Sequence, residues 1–176
     1  MIKIKDKKLL FIYRNPLFIF VKFKTDNKEL KKIVHALNIK EKRKRYQYVY
    51  KEAIKEINKY YNSDLCNFKS GQCIVQRKSN SKKVNGCCRT CPLVTDKGCP
   101  SENISCKLIY CKEALKNLKI LKLRDITILK VLPIIKRLIL KSDFFITKEE
   151  ILLDLNRSIF TYSIKTIIRQ IKRAIH

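Results

Sequence analysis

Apolar positions first cluster along the chain without a helical period. Leu9 to Val21 reads LLFIYRNPLFIFV, two aromatic and β-branched runs split by Arg14-Asn15-Pro16, and this pattern predicts a short β-hairpin. The period then switches to 3.6. Asp26 and Glu29 form a D-x-x-E start, and Leu30, Ile33, Val34 and Leu37 follow at helical spacing, with His35 off the stripe. A second helix is predicted from Lys40 to Tyr61. Its apolar face is Tyr46, Val49, Tyr50, Ala53, Ile54, Ile57 and Tyr61, and Lys42, Arg43, Lys44, Arg45, Lys51, Lys55 and Lys59 fill the remainder. Residues 63–111 lose all periodicity, and Gln76 to Gly86 reads as an exposed loop.

Helical spacing returns with Ala114, Leu115, Leu118 and Leu121. Ile126 to Leu140 is apolar on nearly every side and predicts a buried core helix, kinked or divided at Pro133. Thr147-Lys148-Glu149-Glu150 is a T-x-x-E capping box opening a short helix to Leu155. After a turn over Asn156 to Phe160, a last helix is expected to carry Ile164, Ile167, Ile168, Ile171 and Ile175 inward and Lys165, Arg169, Gln170, Lys172 and Arg173 outward. The sum is a mainly α chain in three parts. Residues 1–62 hold the hairpin and basic helices, 63–111 a cysteine-rich, loop-rich metal module, and 112–176 a helical region ending in a helix-turn-helix outline.

Composition narrows the chemistry. Three Gly exclude a Gly-rich phosphate loop, and two His, at 35 and 176, nearly exclude His-based metal sites and triads. The formal charge is +26, spread as +12 over residues 1–62, +5 over 63–111 and +9 over 112–176. Coding bias toward Lys explains part of this, but the same bias favours Glu, and acids are scarce. A charge of this size attracts polyanions, either DNA or RNA or an anionic membrane surface. The densest basic run is KEKRKR at 40–45. Leu9–Val21 is too short and interrupted to span a bilayer, although an interfacial anchor is the alternative to a hairpin. No signal-peptide cleavage pattern follows it, so a cytoplasmic setting with reduced thiols is expected.

All eight cysteines fall between 66 and 111, at Cys66, Cys73, Cys87, Cys88, Cys91, Cys99, Cys106 and Cys111. Cys88-Arg89-Thr90-Cys91 has the C-x2-C spacing with which one tight turn gives two thiolates to a tetrahedral zinc ion. Adjacent Cys87 and Cys88 point to different ions, and eight thiolates suffice for two zinc sites. An iron–sulfur cluster is the alternative cofactor: Cys91-Pro92 and Cys99-Pro100 share the Cys-Pro step of ferredoxin runs, but the compact C-x2-C-x2-C arrangement is missing. A redox dithiol at Cys88/Cys91 and a disulfide framework stay open as well. Asp64, Asp96 and Glu102 are the acids of the region, and none has the spacing of an acid/base pair. An all-thiolate zinc site is closed and structural, so no catalytic residue is assigned.

The runs RYQYVY, CNFKSGQC, NGCCRTC, KGCP, SCKLIYC and LKSDFF, over about residues 38–155, resemble a small cysteine-rich protein family of Gram-positive bacteria. The resemblance implies a shared cysteine-bound fold and no particular activity.

The functional expectation is a non-catalytic, metal-stapled basic binding protein, nucleic-acid-associated or regulatory. Lys42, Arg43, Lys44 and Arg45 in the second helix, and Lys165, Arg169, Gln170, Lys172 and Arg173 in the last, are the expected nucleic-acid contacts. The alternatives are an iron–sulfur or thiol redox protein and a membrane-peripheral or partner-binding protein.

Overall fold

The computed structural model describes residues 1–5, 21–61, 65–67, 69–70, 72–79, 93, 95, 102–109, 115 and 119–175. The architecture is mainly helical. Two short strands, β1 (Ile2–Lys3) and β2 (Phe23–Lys24), pair in parallel with Ile2 opposite Phe23. The helices are α1 (Lys31–Asn38), α2 (Lys42–Tyr61), α3 (Ile74–Ser79), α4 (Ile104–Lys107), α5 (Ile134–Ser142), α6 (Lys148–Asn156) and α7 (Ile159–Ile175). Among the described residues, no helix is long and apolar enough to cross a membrane. Most of the predicted hairpin lies outside the described residues, as do most of the helix predicted near Ala114–Leu121 and residues 80–86 of the predicted Gln76–Gly86 loop; Gln76 to Ser79 of that loop are instead helical, within α3.

Helix α2 is the spine of the core. Every residue of its predicted apolar face, Tyr46, Val49, Tyr50, Ala53, Ile54, Ile57 and Tyr61, is buried. It packs against α1, which buries Ile33, Val34, Ala36 and Leu37, and against a 3-10 segment, Thr127–Val131. The start of α1 differs in detail from the expected D-x-x-E cap. Asn27, not Asp26, accepts the Glu29 N–H at 2.9 Å, ahead of a 3-10 turn over Lys28–Leu30. Asp26 instead pairs with Lys3 and so holds β1 to β2.

The apolar run 126–140 is not one helix. Ile126, Ile128, Leu129, Val131 and Leu132 are buried, but in 3-10 and extended geometry, and α5 begins only after Pro133. The proline causes the break. Its ring disfavours helical geometry in the preceding residue, and Leu132 is accordingly extended at φ −77°, ψ 143°. The capping box opening α6 forms as expected. Thr147 Oγ1 accepts the Glu150 N–H and Glu150 Oε2 accepts the Thr147 N–H, each at 3.2 Å.

The segment 102–109 is bonded into this core. Tyr50 donates its hydroxyl to the Glu102 carbonyl at 2.7 Å and accepts the Ile104 N–H at 3.2 Å. Asn103 donates to the Asp143 and Ile146 carbonyls at 2.7 and 3.1 Å, and its Oδ1 caps α4 through the Cys106 N–H at 3.0 Å. Ser105 Oγ donates to the Leu140 carbonyl. Buried amide and hydroxyl groups are costly unless satisfied in this way, so the backbone around Cys106 is fixed by α2 and α5.

Candidate functional site

Three of the eight cysteines are among the described residues. Cys66 and Cys73 sit at the two ends of one tight hairpin. Lys69 and Gln72 exchange backbone hydrogen bonds at 2.9 and 3.0 Å, and the Ile74 N–H donates to the Cys66 carbonyl at 2.9 Å. Asn67 (φ 42°) and Ser70 (φ 48°) take the left-handed conformation that closes the turn. Arg77 of α3 locks it, donating to the Asn67 and Gln72 carbonyls at 2.6 and 2.7 Å. Gln76 accepts the Cys73 N–H at 2.9 Å. Both cysteines are half-buried. One turn thus carries two thiol side chains on adjoining backbone, as C-x2-C turns do in thiolate metal sites. The x6 spacing of this pair is visible in the sequence, but the pairing needs the Arg77 brace, which is not.

Cys106, on the core-bonded α4, accepts the Phe145 N–H on its Sγ at 3.4 Å. Phe145 has a φ of 58°, unusual for an aromatic residue. Among the described residues, no three Cys, His, Asp or Glu side chains converge on a common point. Cys87, Cys88, Cys91, Cys99 and Cys111 lie outside the described residues.

The four cations of the 42–45 run divide. Lys42, Arg43 and Lys44 are exposed in the first turn of α2, where the helix dipole adds positive potential. Lys42 Nζ lies 5.8 Å from the centre of the Tyr46 ring, and Lys44 pairs with Glu41 at 2.8 Å. Arg45 turns back, donating to the Ile39 and Lys40 carbonyls at 2.7 and 3.3 Å, and so closes the C-terminus of α1.

Beyond that turn, α1 and α2 form one basic face that sequence reasoning did not assemble. Lys32 of α1 and Lys55 of α2 both pair with Glu52, at 2.8 and 2.7 Å, which holds its carboxyl below the ordinary glutamate range. His35 and Tyr48 meet across the two helices with ring centres 4.6 Å apart. Lys28, Lys31, Lys51 and Lys59, in the turn before α1 and on the two helices, are exposed. The signal was available: Lys28, Lys31, Lys32 and His35 fall at i, i+3, i+4 and i+7.

The last helix is turned the opposite way from its predicted orientation. Lys165 and Arg169 face inward, their side chains 25% and 18% exposed, while Ile164, Ile167, Ile168 and Ile171 are 44–56% exposed. Beneath them lie two buried carboxylates. Asp154 accepts from Lys165 at 2.9 and 3.2 Å and from Arg157 at 2.6 Å, and forms an ion pair with Arg169 at 3.0 Å. Asp143 accepts from Arg169 at 3.3 Å and from Tyr162 at 3.0 Å. Burial, helped by the neighbouring Asp154, pushes the Asp143 carboxyl up to about 6, against the Tyr162 hydrogen bond and the Arg169 charge. The physical reason for the reversal is the cost of leaving these acids without counter-ions. An unpaired buried carboxylate costs several kcal/mol, whereas a half-exposed Ile forfeits only about 1 kcal/mol.

The link before α7 is also shorter than expected. Only Arg157 and Ser158 separate α6 from α7, and Ser158 Oγ caps α7 through the Thr161 N–H at 3.2 Å. The Lys165 and Arg169 charges are therefore engaged inside the protein. The side chains of Gln170, Lys172 and Arg173 lie outside the described residues. No protein-family model, curated protein or solved structure matches the chain.

Proposed function

We propose that the protein is a metal-stapled binding protein that engages DNA or RNA through the outer face of α1 and α2. One observation carries this reading. Lys28, Lys31, Lys40, Lys42, Arg43, Lys51 and Lys59 are exposed on these two helices and the turns beside them, and make no ion pair among the described residues. Glu52 and Glu41, meanwhile, are neutralised by Lys32, Lys55 and Lys44. A face of this kind collects phosphates, and His35 with Tyr48 puts two rings at its centre, suited to an unstacked base. The cysteine region is the staple. Zinc, at up to two ions per chain, is the metal this reading assigns to it, with Cys66 and Cys73 as one ligand pair. An iron–sulfur cluster is the alternative.

Filter binding of a duplex DNA and a single-stranded RNA over about 50 to 300 mM salt tests the first half. Affinity falling steeply with salt is expected, and no affinity at the lowest salt overturns the reading. Elemental analysis of anaerobically purified protein tests the second half. Colourless protein with zinc agrees, iron with visible absorbance moves the module to a cluster, and metal-free folded protein removes the staple.

A further inference from the structure

A groove beside the anchored Cys106 segment holds an unexplained charge. It is open, has a volume of about 780 Å³, and runs between α4, residues 120–124 and α5, within the size range of small-molecule sites. Leu108, Ile120, Ile134 and Leu138 make its walls. Lys122, Arg124, Arg137 and Lys141 also line it, and no carboxylate does among the described residues. Arg137 is the telling member. It is half-buried, its Nε is shielded from solvent with no hydrogen-bond partner, and its guanidinium makes no ion pair among the described residues. Arg137 lines the groove with its charge unpaired among the described residues, and a carboxylate or phosphate is the partner a guanidinium binds in the strongest geometry.

We infer that this groove binds a single-chain amphiphile with an anionic head, a long-chain fatty acid, its carboxylate on Arg137 and its tail along Ile120, Ile134 and Leu138. Charge complementarity chooses this occupant. Four cations and no acid among the described lining residues select an anion, and apolar walls select an alkyl tail over a nucleotide or a hydrated ion. Leu108 and Ser105 of the Cys106 segment also line the groove, so the ligand would lie against the anchored end of the cysteine region. This inference stands apart from nucleic-acid binding on α1 and α2.

The test is displacement of cis-parinaric acid fluorescence from the full-length protein by palmitate below its micelle concentration. Saturable one-to-one binding is expected. Arg137→Met, which keeps the apolar stem, should weaken it at least tenfold, and so should Leu138→Glu at an exposed position that the fold does not need. Cetyltrimethylammonium, with the same tail and the opposite head, should not compete. Wild-type affinity in both variants overturns the proposal, as does equal competition by the cationic amphiphile. Binding to phosphatidylglycerol vesicles without any binding of monomeric palmitate also overturns it, because the groove would then be a membrane contact.

Discussion

Helices α2 and α7 are the two longest in the described chain, both are amphipathic and both are rich in cations, yet they are mounted in opposite senses. In α2 the apolar stripe from Tyr46 to Tyr61 is inside and Lys42, Arg43, Lys44, Lys51, Lys55 and Lys59 are outside. In α7 the stripe Tyr162, Lys165, Thr166 and Arg169 faces the protein, and Ile164, Ile167, Ile168 and Ile171 face away, the side chain of Ile175 lying outside the described residues. Amphipathicity therefore defines two faces of a helix without saying which one the protein covers. The neighbouring elements decide. Around α2 they offer Ile33, Leu37, Ile128 and Leu129; beneath α7 they offer Asp143 and Asp154. The same kind of side chain is then a surface charge in one helix and an internal counter-ion in the other.

The sharpest way to break this contrast is to remove its cause. Asp154→Ala leaves Lys165, Arg157 and Arg169 without their shared partner, and should cost about 3–5 kcal/mol in urea unfolding. A loss under about 1 kcal/mol would mean that α7 is not held by its charges. Next comes one substitution made in both helices. Ile57→Ala, fully buried in α2, should cost about 2–5 kcal/mol, whereas Ile168→Ala in α7 should stay within about 0.5 kcal/mol. Equal losses would return the isoleucines of α7 to the interior.

The smallest expected effect is on pH dependence. The Asp143 carboxyl titrates at about 6 in the folded protein against an ordinary aspartate value of 3.8, so between these values the native state binds a proton that the unfolded state does not. Its contribution to stability is therefore fully present below the unfolded value and is lost as pH rises through about 6. Between about pH 7 and 5 the wild type should gain about 1 kcal/mol relative to Asp143→Asn. Glu52, shifted downward by its two lysines, works in the opposite sense and only at lower pH. A parallel pH dependence in the two proteins would mean that Asp143 is not raised.

Much of this arrangement was legible because it is local. The α2 stripe is a 3.6 period, the Thr147 box is a four-residue motif, and Pro133 breaks a helix wherever it stands in one. What was not legible depends on partners distant in sequence. β1 and β2 pair across the intervening residues 4–22, and the Cys66–Cys73 turn is closed by Arg77. The sense of α7 is set by acids eleven to twenty-six residues upstream of the cations they hold. A clue did exist in α6, where Asp154 shares the inward stripe of Ile151 and Leu155. A carboxylate on a buried stripe requires a cation, and the chain places Lys165 and Arg169 next. The exposure of the 42–45 run was only partly legible as well. Lys42, Arg43 and Lys44 are outward, but the helix-end carbonyls that capture Arg45 come into view only with the turn between α1 and α2.

The contrast between the helices has its most direct consequence in binding. The slope of log affinity against log salt for duplex DNA should be compared between the wild type and a Lys42→Gln, Arg43→Gln, Lys51→Gln protein. If these three cations of α2 sit on phosphates, the slope becomes shallower by up to about 3, near 0.9 for each cation replaced. An unchanged slope, with the variant folded, would contradict the assignment of this face to nucleic acid.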